Sequence, residues 1–113
     1  MNLLEELTTI ITNHNIPVET GIFTDIAPDT YAVLVPMSDV FVMHADDTPQ
    51  YETQEVRISL YSKTNYLTLT AQLTRTIQNA GITVSARTNV GYEPDTQYHH
   101  MSIDTKKGYK WEV

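Results

Sequence analysis

At 113 residues, with 14 acids against 7 bases and a net charge of −7, the chain has the length of one domain, 1–113, and lacks the clustered positive charge that phosphate-backbone binding requires. No cysteine is present, which excludes disulfides and thiolate metal sites. The opening Met1-Asn2-Leu3-Leu4-Glu5-Glu6 has neither the basic nor the apolar region of a signal peptide, and no apolar run approaches the ~20 residues of a membrane helix; a soluble, cytoplasmic protein with no membrane partner is expected.

Leu3, Leu4, Leu7, Ile10 and Ile11 recur with the spacing of one apolar helical stripe. Asn2 is placed to cap that helix, with Glu5 three residues on as in a capping box, and Pro17 biases Ile16 away from helical geometry. Val18–Phe23 reads as a short strand interrupted by Gly21, and Ala27-Pro28-Asp29 as a turn. Tyr31–Val35 is a near-continuous apolar run that Pro36 ends, as in a buried strand. Val40–Met43 continues the β-prone character until the acidic turn Asp46-Asp47-Thr48-Pro49. From Glu52 to Tyr61, Val56, Ile58 and Leu60 alternate with Glu55, Arg57, Ser59 and Tyr61, the period of a strand with one buried face.

A second helix follows, with Asn65 as its expected cap, Leu69, Leu73, Ile77 and Ala80 as its buried stripe and Gly81 as its C-terminal stop. Thr68, Thr70, Thr74 and Thr76 are poor helix formers, so tertiary packing must hold it. Ile82, Val84 and Ala86 then alternate with Thr83, Ser85 and Arg87, and Gly91–Thr96 reads as a loop. His99, Met101 and Ile103 face one side of the next strand, with Tyr98, His100, Ser102 and Asp104 on the other. Thr105-Lys106-Lys107-Gly108 reads as a hairpin turn into Tyr109–Val113. This order predicts an α+β fold: a mostly antiparallel sheet of four to six strands with two helices packed on one face.

Charge is unevenly distributed. Residues 1–56 hold ten acids and no base, whereas 57–113 hold seven bases and four acids, so the halves carry −10 and +3. One reading is a domain with an acidic and a mildly basic side, suited to head-to-tail self-association. The simpler one is that strands from both halves interleave in the sheet and the polarity vanishes in space.

Reactive groups do not converge in the sequence. His44, Asp46 and Asp47 lie close together, but neighbouring residues of a strand point to opposite faces, so His99 and His100 cannot share an ion. No recognised metal-ligand spacing, nucleophile elbow or glycine-rich phosphate loop occurs. No enzymatic activity, cofactor or metal is expected. Tyr, Trp and Met are enriched in interface cores; Tyr61, Tyr109 and Trp111 are candidates to anchor a neighbouring subunit, or else, for the last two, to cover the sheet edge of their own domain.

The stretch from Glu52 to Lys107 carries an alternating strand, a Tyr61-Ser62-Lys63 exit, a helix, Ala-Gly-Ile-Thr-Val, and Asp95-Thr96-Gln97-Tyr98-His99 before the last strands. In this pattern, about half of the chain resembles the small tail-completion and tail-terminator proteins of long-tailed phages and of prophages in Gram-positive bacteria. The Trp-containing C-terminus departs from it. The resemblance implies a ring, often hexameric, that stops tail-tube growth and joins tail to head. Its partners would be further copies of itself and neighbouring tail-tube or head-connector proteins, with DNA only as passing cargo. It would act in the host cytoplasm during assembly and in the virion thereafter. An acidic lumen would keep DNA from sticking as it slides. On charge, Asp46, Asp47 and Glu52 are candidate lumen or inter-subunit residues, and Arg57 and Arg87 candidate partners for a neighbour's acidic loop. The alternative is a cytoplasmic protein-binding adaptor without a phage role.

Overall fold

A computed structural model describes residues 2–21, 27–43 and 49–110. The elements, in chain order, are α1 (Leu3–Asn13), β1 (Val18–Thr20), β2 (Thr30–Met43), β3 (Pro49–Ser62), α2 (Tyr66–Asn79), β4 (Thr83–Glu93) and β5 (Tyr98–Lys110). The strands form one sheet in the order β1-β2-β3-β5-β4. Only the β1–β2 pairing is parallel; β2–β3, β3–β5 and β5–β4 are antiparallel. The α+β expectation holds.

Both helices lie on one face because both have one apolar stripe to bury. Leu3, Leu7 and Ile11 of α1 and Leu73 and Ile77 of α2 close on Ala32 and Leu34 of β2, Val56, Ile58 and Leu60 of β3, and Met101 and Ile103 of β5. The register sets this surface. Ile58 stands opposite Leu34 on one side and Ile103 on the other, and Leu60 likewise opposite Ala32 and Met101.

The two helices stop in the same way. In α2, Gly81 takes φ +81°, its amide reaches the Gln78 carbonyl, and the Ile82 amide reaches that of Ile77. In α1, Asn15 takes φ +61°, its amide reaches Thr12, and the Ile16 amide reaches Ile11. Each is a Schellman motif, with the apolar residue beyond the helix set against its last buried turn. Asn2 caps α1 as expected, its Oδ1 accepting the Glu5 amide at 2.9 Å. Asn65 behaves otherwise: it precedes α2 in a left-handed conformation and its side chain makes no capping bond. The threonines of α2 turn inward on the helix itself. Thr70, Thr74 and Thr76 donate to the carbonyls four residues before them, the local bond that weakens such residues as helix formers.

Several boundaries differ from those read from the sequence, mostly because a strand continues where a long partner accompanies it. β1 is three residues long, ending at Thr20; residues 22–26 lie outside those described. Pro36 does not end its strand. β2 runs through it, with an irregularity between Pro36 and Ser38. The Ala32 amide and Leu34 carbonyl both point to the β1 side, so two residues on the missing N–H of Pro36 falls on that side and costs the ladder to β3 nothing. Likewise, 105–108 is not a hairpin turn. Thr105, Lys106, Lys107 and Gly108 pair with Val56, Glu55, Gln54 and Thr53, and the Thr105 hydroxyl donates to the Val56 carbonyl. The predicted loop at 91–96 narrows to a turn at 94–97, because β4 continues to Glu93.

The molecule is elongated, 54 × 26 × 24 Å, with a radius of gyration of 15.4 Å against about 13 Å for a compact chain this long. Its length comes from the sheet. The Leu3 amide donates to Gln54 Oε1 at the start of α1, and beyond that point β2, β3 and β5 carry on as a ribbon, β2 paired with β3 from Asp39–Gln54 to Met43–Pro49 and β5 with β3 as far as Tyr51–Lys110.

Two substitutions test this packing. Ile58→Ala should destabilise by about 2–5 kcal/mol through the cavity it leaves. Gly81→Ala should cost about 1–2 kcal/mol through its left-handed backbone alone, both read by urea denaturation.

Candidate functional site

The face of the sheet opposite the helices carries no second layer of secondary structure among the described residues, and its side chains shield one another. Tyr31, Tyr61 and His100 are direct cross-strand neighbours on β2, β3 and β5. Their rings form a stacked row, 4.7 Å from Tyr31 to Tyr61 and 4.2 Å from Tyr61 to His100. The Tyr98 ring meets Tyr31 edge-on at 5.4 Å, and its hydroxyl donates to the Pro28 carbonyl at 2.6 Å, tying the row to the segment before β2. Stacked and edge-on pairs each add ~1 kcal/mol beyond area burial, so the row stiffens a face that water would otherwise reach.

The row is also electrostatically uniform. Burial raises the Tyr61 hydroxyl, with the Glu93 carboxylate adding to it, and burial raises Tyr31 with smaller contributions from Tyr61, Tyr98 and Glu93. Both stay neutral at physiological pH. Burial lowers His100, against a weaker upward pull from Glu93, and its Nε2 is buried with no hydrogen-bond partner among the described residues.

Further along the same face, Arg57 grips Asp104 across the β3–β5 ladder, Nε to Oδ1 at 2.7 Å and a second nitrogen to Oδ2 at 3.2 Å. This two-point geometry holds the guanidinium within its own sheet. On the helix face, Glu6 of α1 gathers two β5 residues. Lys107 Nζ lies 2.9 Å from its Oε1, and the Tyr109 hydroxyl donates to its Oε2. Burial pushes Glu6 up, but the bonds from Tyr109 and Lys107 outweigh it and hold the carboxyl below its usual value. Burial and the Glu6 carboxylate drive the Tyr109 hydroxyl far above the ordinary tyrosine range.

The sequence-derived site residues therefore separate. Asp46, Asp47 and Trp111 lie outside the described residues. Glu52 sits half-buried on the ribbon, paired in register with Phe41 and Tyr109. Arg57 and Tyr61 share the open face, one in an ion pair and one in the ring row. Tyr109 packs against its own core, one of the two roles read for it. Arg87 is not on the polar side of its strand. A bulge between Val84 and Ala86 inserts a residue, so Val84 and Arg87 share the helix face, and Arg87 approaches the Thr74 hydroxyl at 3.5 Å. Alternation by itself missed that shift, and it also missed the row: residues 31, 61 and 100 carried the signal of aromatic rings on polar phases, but only register aligns them.

The two histidines separate as strand geometry requires. His99 stacks on Tyr66 of α2 at 4.3 Å on the helix face, while His100 lies in the row on the other. Among the described residues no group of three His, Asp or Glu side chains is placed to hold a metal ion, and no helix is long and apolar enough to cross a membrane.

Within the sheet the two sequence halves take separate flanks, although ion pairs join them, Glu6 with Lys107 and Asp29 with Lys63. The first half builds α1, β1, β2 and the start of β3; the second builds the end of β3, α2, β5 and β4. Because β3 is the one strand the halves share, they do not interleave.

A buried neutral histidine makes stability depend on pH. With the native His100 below the unfolded value near 6.5, the unfolded chain binds more protons, so its contribution is present above that value and is lost as pH falls below it. His100→Phe keeps a ring in the row without the titration. The variant should lose less stability between about pH 7.5 and 5.5, the difference not exceeding about 1.4 kcal/mol per pH unit; equal slopes in urea titrations would refute this account. The chain matches no protein-family model and no curated protein.

Proposed function

We propose that this protein is a structural subunit of a phage or prophage virion, a tail terminator or tail-completion component that forms a ring at the head–tail junction. One observation carries the reading: a single sheet whose two flanks are built from sequence halves of −10 and +3. Such polarity suits head-to-tail contact, in which the acidic flank of one copy meets the basic flank of the next. The resemblance of 52–107 to tail-completion proteins points the same way. The projecting ribbon, with the acids Asp46 and Asp47 following β2 in sequence, gives each copy a reach beyond its own core. A ring of such copies presenting acids inward would let DNA pass without adhering.

The reading is tested by deleting the gene from its phage or prophage and examining induced particles by electron microscopy. Tails of irregular length, or tails unjoined to heads, are expected, with rescue by the intact gene; tails of normal length joined to heads would overturn it. In the complemented strain, replacing Asp46→Asn together with Asp47→Asn should reduce the fraction of joined particles while leaving the melting temperature of the purified chain unchanged within a few degrees.

A further inference from the structure

The sheet has two edges that lack a strand partner along most of their length. β4 is eleven residues long, and nothing among the described strands lies outside it. On the opposite flank, β1 covers β2 only at Ala32, Val33 and Leu34, and no described strand pairs with the outer side of β2 from Val35 to Met43. Long unpaired edges invite another chain, and proteins that stay apart usually guard them with short strands or charge.

These two edges are guarded only in part: Pro36 removes one donor from the outer side of β2 and two bulges interrupt β4, but both edges also expose apolar side chains. The exposed large apolar residues among those described are Val35, Met37, Leu67, Val90 and Tyr92, and four of these five lie on the two open edges. Met37 is 49% exposed and Val90 55%. Residues scattered at random over the surface would not collect on the two strands that lack partners. Charge adds direction. On β4 itself the charged residues are Arg87 and, at its far end, Glu93, whereas the chain before Arg57 contains no base at all. Whatever side chains of residues 1–56 approach β4, none repels Arg87.

We infer that the β4 edge of one copy pairs with the outer edge of β2, around Val35–Met37, of a second copy. The inference rests on the ring proposed above and names how its subunits join. The two edges lie on opposite flanks of the sheet, so the contact is heterologous: each copy keeps one edge free after pairing, and the chain of contacts ends only when a ring closes. A β4–β4 pairing would instead stop at a dimer and bring Arg87 near its own copy.

Because the chain lacks cysteine, introduced thiols report the contact without interference. Met37→Cys and Val90→Cys proteins are purified separately, mixed, oxidised, and compared with a Thr9→Cys pair, an exposed α1 position outside both edges. The mixture should give a disulfide-linked dimer several-fold above that control, each variant alone should not, and a chain carrying both should give a ladder of multimers. Arg87→Glu in the Val90→Cys partner should reduce the yield. A Val90→Cys dimer formed alone, or a mixture no better than the control both in purified protein and in induced cells carrying both variants, overturns the inference. A cross-link in solution with normal tails after gene deletion would retain the edge pairing and remove the virion role; unjoined tails without a cross-link would do the reverse.

Discussion

The structure depends on the register of β3. Val56, Ile58 and Leu60 must face the helices while Arg57, Ser59 and Tyr61 face away, and a slip of one residue would exchange the two sets. The slip would place a guanidinium beneath α1 and α2 and turn Ile58, which is fully buried, out to solvent. Burying an unpaired charge costs more than any single contact in a domain this size returns, so the register is held by what the alternative would bury. From that strand the order spreads in both directions: to Leu34 and Ala32 on β2, and to Ile103 and Met101 on β5.

The same register decides what the other face is made of. A sheet with both helices on one side leaves a layer that water can reach, and here rings occupy it. Tyr31, Tyr61 and His100 come from three strands that are distant in sequence, yet they fall into direct opposition because β2 and β5 both pair with β3 over most of its length. The row brings its own constraint. Burial beneath Tyr61 favours the neutral form of His100, which makes this face sensitive to mild acid. The ion pair of Arg57 with Asp104 extends the same layer in polar form. It is partly exposed, with the Arg57 side chain 43% accessible, so it orients the strands more than it stabilises them.

Local structure and assembly meet at the edges. A strand ends at proline in isolation, but beside β3 it does not, and β2 therefore continues past Pro36 into a ribbon that carries the chain beyond its core. The bulges of β4 likewise change which residues meet the helix side, moving Arg87 over α2. The open edges and the apolar residues on them are the features on which the proposed pairing of copies rests.

Much of this was present in the sequence. The apolar spacings of α1 and α2, the alternation from Val56 to Leu60, the cap at Asn2 and the stop at Gly81 are local properties, settled by which residues fall within a few positions of one another. The opposite orientation of His99 and His100 follows from strand pleating alone, and the uneven charge was visible as a count. Tertiary structure decided the rest. It made β5 run through Thr105–Gly108 because β3 supplies partners there, set Arg87 on the helix face through a bulge, enclosed Tyr109 against Glu6, and placed the strands of the two sequence halves on separate flanks with only β3 shared. Each of these depends on which strands become neighbours and in what register, a contact between residues tens of positions apart that periodicity along one segment does not contain.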